Sequence, residues 1–131
     1  MKATFYICMT YGAQGPEMQL TDGEARAISN LAREMTVAWN GPGIAGLALG
    51  PDHYVVYWED APDVDVIALR VDSSGYVSMW LKNNAGWYDY TDTVGLWNSL
   101  SYFGKIAYQK WLSEIQEDSK EDEETEGPPN L

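Results

Sequence analysis

Residues 66–81 read VIALRVDSSGYVSMWL, and this stretch predicts a β-hairpin. Apolar and polar side chains alternate on both sides of Ser73-Ser74-Gly75, a link whose composition is typical of a tight turn. Alternate side chains of a strand point to opposite faces of a sheet, so one face of this hairpin is expected to be aliphatic and to lie in the core. The residues predicted for that core face are Ile67, Leu69, Val71, Val77, Met79 and Leu81.

The opposite face of the hairpin has a mixed composition. It carries Val66, Ala68, Arg70, Tyr76, Ser78, Trp80 and Lys82. Such a face is typical of a surface that is partly wet or that meets a partner. It is also compatible with a sheet that curls and encloses both faces, or with aromatic side chains that simply pack beside each other across strands. The alternation does not decide whether Tyr57, Tyr88 and Tyr90 of the flanking strands share this face.

Further strands are predicted on both sides of the hairpin. They cover residues 2–9, 44–49, 53–59 and 87–91, and the hairpin arms extend over residues 64–72 and 76–82. From residue 44 onward the strands are joined by short links rich in Gly, Pro, Asn and Asp. Links this short indicate antiparallel neighbours, because parallel neighbours need crossovers of a dozen or more residues.

Two amphipathic helices complete the pattern. Thr21 and Glu24 have the spacing of a capping box, so the first helix is expected to begin there and to stop before Asn40-Gly41-Pro42-Gly43. The second helix is predicted from about residue 93 to residue 116, with Asp89 and Asp92 capping its start. Its predicted core stripe consists of Leu96, Trp97, Leu100, Phe103, Gly104, Ala107, Trp111 and Ile115. The sequence therefore predicts an α+β fold, an antiparallel meander sheet of about five or six strands with two helices on one face.

The charge of the chain is concentrated at its end. The 131 residues carry a net charge of −12, and residues 114–131 hold eight acidic side chains against one lysine. Residues 1–116 are predicted to form a single α+β domain. Residues 117–131 are predicted to be an acidic low-complexity tail, disordered beyond about residue 118, because it lacks the apolar side chains needed to offset its ordering entropy.

The composition also limits the partners. Binding to phosphates requires clustered Lys and Arg, so this acidic chain is not expected to bind nucleic acid directly or to bind an anionic membrane. No apolar run approaches the length of a membrane span, and the N-terminus lacks the pattern of a signal peptide. With Cys8 as its only cysteine, the chain suits a reducing compartment, and the cytoplasm is the expected location.

No motif for catalysis or cofactor binding is present. His53 is the only histidine and is expected to be a surface or turn residue, so the sequence gives no support for a histidine-dependent catalytic triad. Cys8 is expected to be a buried, inert thiol. Glu59, Asp60, Asp63 and Asp65 form the densest acidic cluster outside the tail, but their spacing matches no calcium loop and Pro62 indicates a solvated turn. The glycines at residues 41–50 are followed by neither a helix nor a Gly-Lys-Ser/Thr motif. We therefore expect no metal, no cofactor and no enzyme activity.

These features favour a small acidic interaction protein. The expected partner is a basic protein, in the extreme case a nucleic-acid-binding protein whose groove the carboxylates would occupy in place of phosphates. Phage inhibitors of nucleic-acid machinery and toxin-neutralising immunity proteins use this physics, and both classes stay open as analogies. The sequence is also compatible with a homodimer, and with a ligand-binding domain or enzyme whose cleft follows the aromatic face, where Arg70 or Lys82 contacts an anion. The predicted partner-binding residues are Arg70, Tyr76, Trp80, Glu59, Asp60, Asp63 and Asp65.

Overall fold

The computed structural model describes residues 1–9, 14–35, 52–83, 86–92 and 94–126, with side chains described as far as residue 115. The described residues form six strands and two helices. In chain order these are β1 (Lys2–Cys8), β2 (Gln14–Leu20), α1 (Asp22–Met35), β3 (His53–Glu59), β4 (Val66–Asp72), β5 (Tyr76–Leu81), β6 (Trp87–Thr91) and α2 (Leu96–Glu126). Within this part of the chain neither helix is long and apolar enough to cross a membrane.

All six strands belong to one antiparallel sheet with the order β2-β1-β3-β4-β5-β6. Strands β3 to β6 follow one another as a meander, whereas β1 lies between β2 and β3. This arrangement confirms the predicted α+β class. The strand predicted at residues 44–49 lies outside the described residues.

Strand β2 is not evident from the sequence, because Gly15 and Pro16 suggest a break in the chain. The register between β1 and β2 shifts after Tyr6 pairs with Glu17, and it resumes where Cys8 pairs with Gln14. Gly15 and Pro16 therefore lie together opposite Ile7 in a β-bulge. Since β2 is the edge strand of the sheet that the described residues form, proline is tolerated there at little cost.

The start of α1 matches its predicted cap, and the start of α2 matches its prediction at Asp92. The Thr21 backbone N–H donates to Glu24 Oε1 at 2.8 Å, and the Glu24 backbone N–H donates to Thr21 Oγ1 at 3.1 Å. Asp92 accepts from the backbone N–H groups of Leu96 at 2.9 Å and Trp97 at 3.0 Å. These contacts satisfy backbone donors that have no partner inside the helix.

The core lies between one face of the sheet and the two helices. Phe5, Val56, Leu69 and Met79 are fully buried and form one continuous row across β1, β3, β4 and β5. The helices cover this row with two sets of buried side chains. They are Ala25, Ile28, Ala32 and Met35 of α1, and Leu96, Leu100, Phe103 and Ala107 of α2.

The predicted assignment of β4 to the core is wrong at its first two residues. Val66 pairs with Leu81 and Ala68 pairs with Trp80, so the register shifts at Ile67. Val66 is consequently 2% exposed and lies in the core, whereas Ile67 is 39% exposed. A β-bulge inserts one residue and breaks the period-two alternation, which moves every residue before it to the other face.

Helix α2 differs from its prediction at the C-terminal end. The buried members of its predicted stripe are Leu96, Leu100, Phe103, Gly104 and Ala107. Trp97 and Trp111, also predicted for the core, are only half-buried. Ile115, predicted for the core, is 41% exposed. The helix continues to Glu126 because extending an existing helix needs no new nucleus and Glu, Gln and Lys are good helix formers. The predicted boundary between domain and tail stays a prediction.

Candidate interaction surface

The sheet face opposite α1 and α2, here called the outer face, contains the predicted aromatic residues. Its side chains come from residues that alternate with the buried row of Phe5, Val56, Leu69 and Met79. Two further rows of register partners cross it. The first is Thr4, Tyr57, Ala68, Trp80 and Trp87, and the second is Tyr6, Val55, Arg70, Ser78 and Asp89.

Aromatic rings gather at both ends of these rows. Trp80 and Trp87 are register partners whose ring centroids lie 5.7 Å apart in an edge-to-face arrangement of 80°. Tyr6 and Tyr57 make a similar contact at 6.0 Å and 64°. Trp80 remains 37% exposed. Ala68 separates Tyr57 from Trp80 in the same row, so only a methyl group lies between the two aromatic pairs.

Arg70 lies within this aromatic surface. Its guanidinium carbon is 4.1 Å from the centroid of the Trp87 ring, a cation–π contact. Within the described residues Arg70 forms no ion pair with a carboxylate, so the Trp87 ring is the group that its guanidinium contacts. Arg70, Trp80 and Trp87 thus form one cluster, which is partly exposed on the side away from both helices.

Tyr76 and Asp89 make a polar contact between β5 and β6 on the outer face. The Tyr76 hydroxyl donates to Asp89 Oδ2 at 2.5 Å. This hydrogen bond to the carboxylate, helped by burial, raises the pKa of Tyr76. Asp89 was predicted to cap α2 together with Asp92, and the structure corrects this, because Asp92 accepts from the first N–H groups of the helix while Asp89 lies on the sheet.

Small side chains of the outer face are less accessible than the large ones around them. Thr4, Val55 and Ser78 are buried, and Thr4 Oγ1 accepts a hydrogen bond from Gln19 at 3.1 Å. Ser78 Oγ is buried beside Arg70 and Asp89 and has no hydrogen-bond partner among the described residues. A buried hydroxyl without a partner costs free energy, so the hydroxyl of Ser78 does not contribute to the stability of the sheet.

The strand register decides which tyrosines share the outer face. Tyr57 lies on it with Tyr76 and Trp80, whereas Tyr88 and Tyr90 face the core with Met79 and Val77. Tyr6 and Trp87 also belong to the outer face, although sequence reasoning did not assign them. The cross-strand pairing of Trp80 with Trp87 depends on the link after β5, and period-two alternation alone does not fix that register.

The acidic turn between β3 and β4 is placed apart from the aromatic cluster. Asp63 forms an ion pair with Arg26 of α1, and Asp65 contacts Arg33 of α1 at 3.3 Å. The Arg26 hydrogen bond holds the pKa of Asp63 below its usual value. Because α1 packs on the core face, these contacts turn both carboxylates toward the helical side, away from Arg70 and Trp80.

The two remaining acids of that turn have different surroundings. Glu59 is 3.8 Å from Lys2 Nζ, and Asp60 is exposed with a left-handed φ of 51°. Three of the four carboxylates therefore have a cation of the same chain beside them. Neighbouring opposite charges reduce the field that such a cluster presents to a partner.

Cys8 and His53 are register partners at the edge of the outer face. Cys8 is half-buried, and this burial raises the pKa of its thiol. A raised pKa lowers the thiolate fraction and makes the sulfur a poor nucleophile. The pair therefore does not have the chemistry of an activated cysteine.

Two clefts of the structure lie away from Arg70, Tyr76 and Trp80. Among the described residues, no three His, Cys, Asp or Glu side chains are grouped to hold a metal ion. A cleft of about 480 Å³ is lined by residues that include Trp58, Ile67 and Lys82, and one of about 180 Å³ includes Arg33 and Asp65. Neither of these two clefts is lined by Arg70, Tyr76 or Trp80. Comparison with protein-family models, with curated proteins and with solved structures found no match to this chain.

Proposed function

We propose that this protein is a non-enzymatic interaction domain that binds a basic protein through its outer face and blocks that protein's own binding site. The observation that carries the proposal is the cluster of Arg70, Trp80 and Trp87 on the sheet face opposite both helices. Trp, Tyr and Arg are the residue types that dominate the energetics of protein interfaces. Tyr57 and Tyr6 extend the cluster along the same face.

The contacts within the cluster favour binding for a second reason. Edge-to-face packing of Trp80 on Trp87 and stacking of Arg70 restrict side chains before a partner arrives. Ordering a free side chain at an interface costs roughly 0.5–1.5 kcal/mol, so a pre-ordered cluster retains more of its contact energy as affinity.

The net charge of −12 supports a basic partner. A negative surface accelerates encounter with a positive one and disfavours acidic competitors. The basic proteins most susceptible to such a domain are those whose grooves bind nucleic acid, since carboxylates can take the place of phosphates. Under this proposal the domain itself binds neither nucleic acid nor membrane, and inhibition follows from occupancy of the groove.

Isolation of the partner followed by calorimetric titration tests the proposal. Trp80→Ala should weaken binding by about thirtyfold, the loss expected when an interface anchor worth about 2 kcal/mol is truncated. Tyr102→Ala is the matched control, because Tyr102 is 64% exposed on α2, away from the outer face. Circular dichroism should show that both variants are folded.

Two results would contradict the proposal. One is a folded Trp80→Ala variant with wild-type affinity, which would place the interface elsewhere. The other is an unfolded Trp80→Ala variant, which would show that the outer face is internal.

Two further measurements should support the proposal. Nucleic acid added to the complex should compete with the domain, and rising salt should weaken the complex as the Debye length falls below about 8 Å.

A further inference from the structure

Helix α2 carries a second apolar surface beyond the part that packs on the sheet. Ala107 is its last buried residue among those whose side chains are described. Tyr108 and Ile115 are 44% and 41% exposed, and Trp111 and Leu112 are half-buried. We call Tyr108, Trp111, Leu112 and Ile115 the α2 stripe.

The α2 stripe has the geometry of a docking helix. Its members follow the spacing i, i+3, i+4, i+7, which places them on one side of a helix. The rings of Tyr108 and Trp111 are 5.7 Å apart, so the apolar surface is continuous there. Trp111 also borders a cleft of about 310 Å³ against Gly15, Pro16 and Glu17 at the β2 edge. Anchors with this spacing are the ones that amphipathic helices insert into apolar grooves.

The charge that follows the stripe identifies the kind of groove. Residues 117–126 contain seven acidic side chains and one lysine, and they belong to the same helix. Positions 118, 122 and 126 continue the helical spacing of the stripe, and all three are acidic. This extension of α2 therefore carries a net charge of −6, half of the −12 of the whole chain, whereas the acidic turn between β3 and β4 is largely paired with cations.

We propose that the α2 stripe and the acidic segment at residues 117–126 dock together as one helix into a partner groove that is apolar at one end and rich in Lys and Arg at the other. The inference rests on the proposed function only in that the partner is basic, and it adds a surface separate from the outer face.

A second copy of the chain fits this surface less well. In a parallel pairing the two acidic segments would lie side by side and repel each other. In an antiparallel pairing centred on Trp111, residues 117–126 of each copy would meet residues 96–105 of the other, which offer only Lys105. Much of that stretch is already packed on its own sheet.

A synthetic amphipathic helix of Leu and Lys residues is a defined probe for the site, since it presents an apolar row beside cations. A scrambled peptide of the same composition serves as its control for charge alone. Titrations that follow tryptophan fluorescence should show the amphipathic peptide binding about tenfold or more tightly than the scrambled one. Removal of residues 117–131 should weaken binding of the amphipathic peptide and flatten its salt dependence.

Substitutions in the full chain locate the peptide. Tyr108→Ser and Ile115→Ser should each weaken binding by about tenfold or more, whereas Tyr102→Ser, a tyrosine on another side of α2, should leave it unchanged. Ile115 lies beyond the last described buried residue of α2, so Ile115→Ser should keep the fold even if Tyr108→Ser does not.

Two outcomes would overturn the inference. Equal binding of both peptides by the wild type and by the stripe variants would show that the surface is not an apolar docking site. Sedimentation of the peptide-free protein as a dimer that Ile115→Glu converts to a monomer would show that a second copy covers it. Trp80→Ala should not alter peptide binding, so failure of this inference and failure of the outer-face proposal are separate results.

Discussion

The hydrogen bond from Tyr76 to Asp89 joins β5 to β6 on the outer face and sets the titration of the tyrosine. Replacing the carboxylate by an amide in Asp89→Asn should lower the pKa of Tyr76 toward its usual value of about 10, because the amide carries no negative charge. The titration of tyrosinate absorbance should then show one more of the nine tyrosines ionising in the ordinary range.

The raised pKa of Tyr76 also makes the free energy of unfolding depend on pH. A pKa raised in the native state means that the native protein favours the protonated hydroxyl. This contribution is fully present below the usual tyrosine pKa, and it is lost as the pH rises through the raised native pKa. Asp65→Asn is the control, because Asp65 contacts Arg33 of α1 and lies away from Tyr76. A titration curve of Asp89→Asn identical to that of the wild type would show that Asp89 does not raise the pKa of Tyr76.

Gly104 allows α2 to approach the sheet closely. A Cβ at this position would lie 2.9 Å from the Tyr54 hydroxyl oxygen and 3.0 Å from two of its ring carbons, and Tyr54 is itself stacked on Trp97 at 4.3 Å. Gly104→Ala should therefore lower the free energy of unfolding by about 1–3 kcal/mol through overpacking, despite the better helix propensity of alanine.

The matched substitution is Gly23→Ala in α1, where an added Cβ would lie 4.0 Å from Thr21 Oγ1 and would meet no closer atom of the described residues outside its own turn of helix. This variant should be neutral or slightly stabilised, as is usual when alanine replaces an unobstructed helical glycine. Chemical denaturation of both variants compares them directly. Equal effects would show that Tyr54 yields to the methyl group.

At the scale of the element, the bulge in β4 can be tested with two neighbouring residues. Val66→Ala should cost about 1–3 kcal/mol, because it removes two methyl groups from a buried site. Ile67→Ala should stay within about 0.5 kcal/mol of the wild type, since Ile67 lies on the surface. Urea denaturation gives both values, and the reverse order would mean that the uninterrupted alternation is correct.

The elements show where local patterns are sufficient and where they fail. The caps formed by Thr21, Glu24 and Asp92 were predictable, because each involves residues within a few positions of one another. Strand β2 was not, since Gly15 and Pro16 are compatible with a strand only beside a bulge at the edge of a sheet. That position is a property of the assembled sheet.

At the scale of the whole molecule, truncation after residue 118 tests whether the acidic end of α2 contributes to stability or to the rate of binding. Ala107 is the last described buried residue of α2, so removing residues 119–131 should change the thermal midpoint by less than about 5 °C. The truncated protein should nevertheless bind its basic partner more slowly, because it loses five acidic side chains and one lysine, a third of the net charge of the chain. Calorimetry and stopped-flow association measure the two effects.

Leu100→Ala is the control for the stability arm of that experiment, since Leu100 is fully buried between α2 and the sheet. It should lower the free energy of unfolding by about 2–5 kcal/mol. A comparable loss in the truncated protein would show that the acidic end of α2 packs against the domain. An unchanged association rate would contradict the assigned role of its charge.

Much of this protein is determined by its sequence alone: the α+β class, the hairpin at Ser73-Ser74-Gly75, the two helix starts and the acidic end of the chain all follow from short-range spacing and composition. Tertiary structure decided which residues share a surface. Pairing across strands placed Trp87 beside Trp80, and contacts with α1 turned Asp63 and Asp65 away from Arg70. The physical reason is that alternation and helical periodicity act over a few residues, whereas register, bulges and ion pairs depend on segments that meet only in the folded chain.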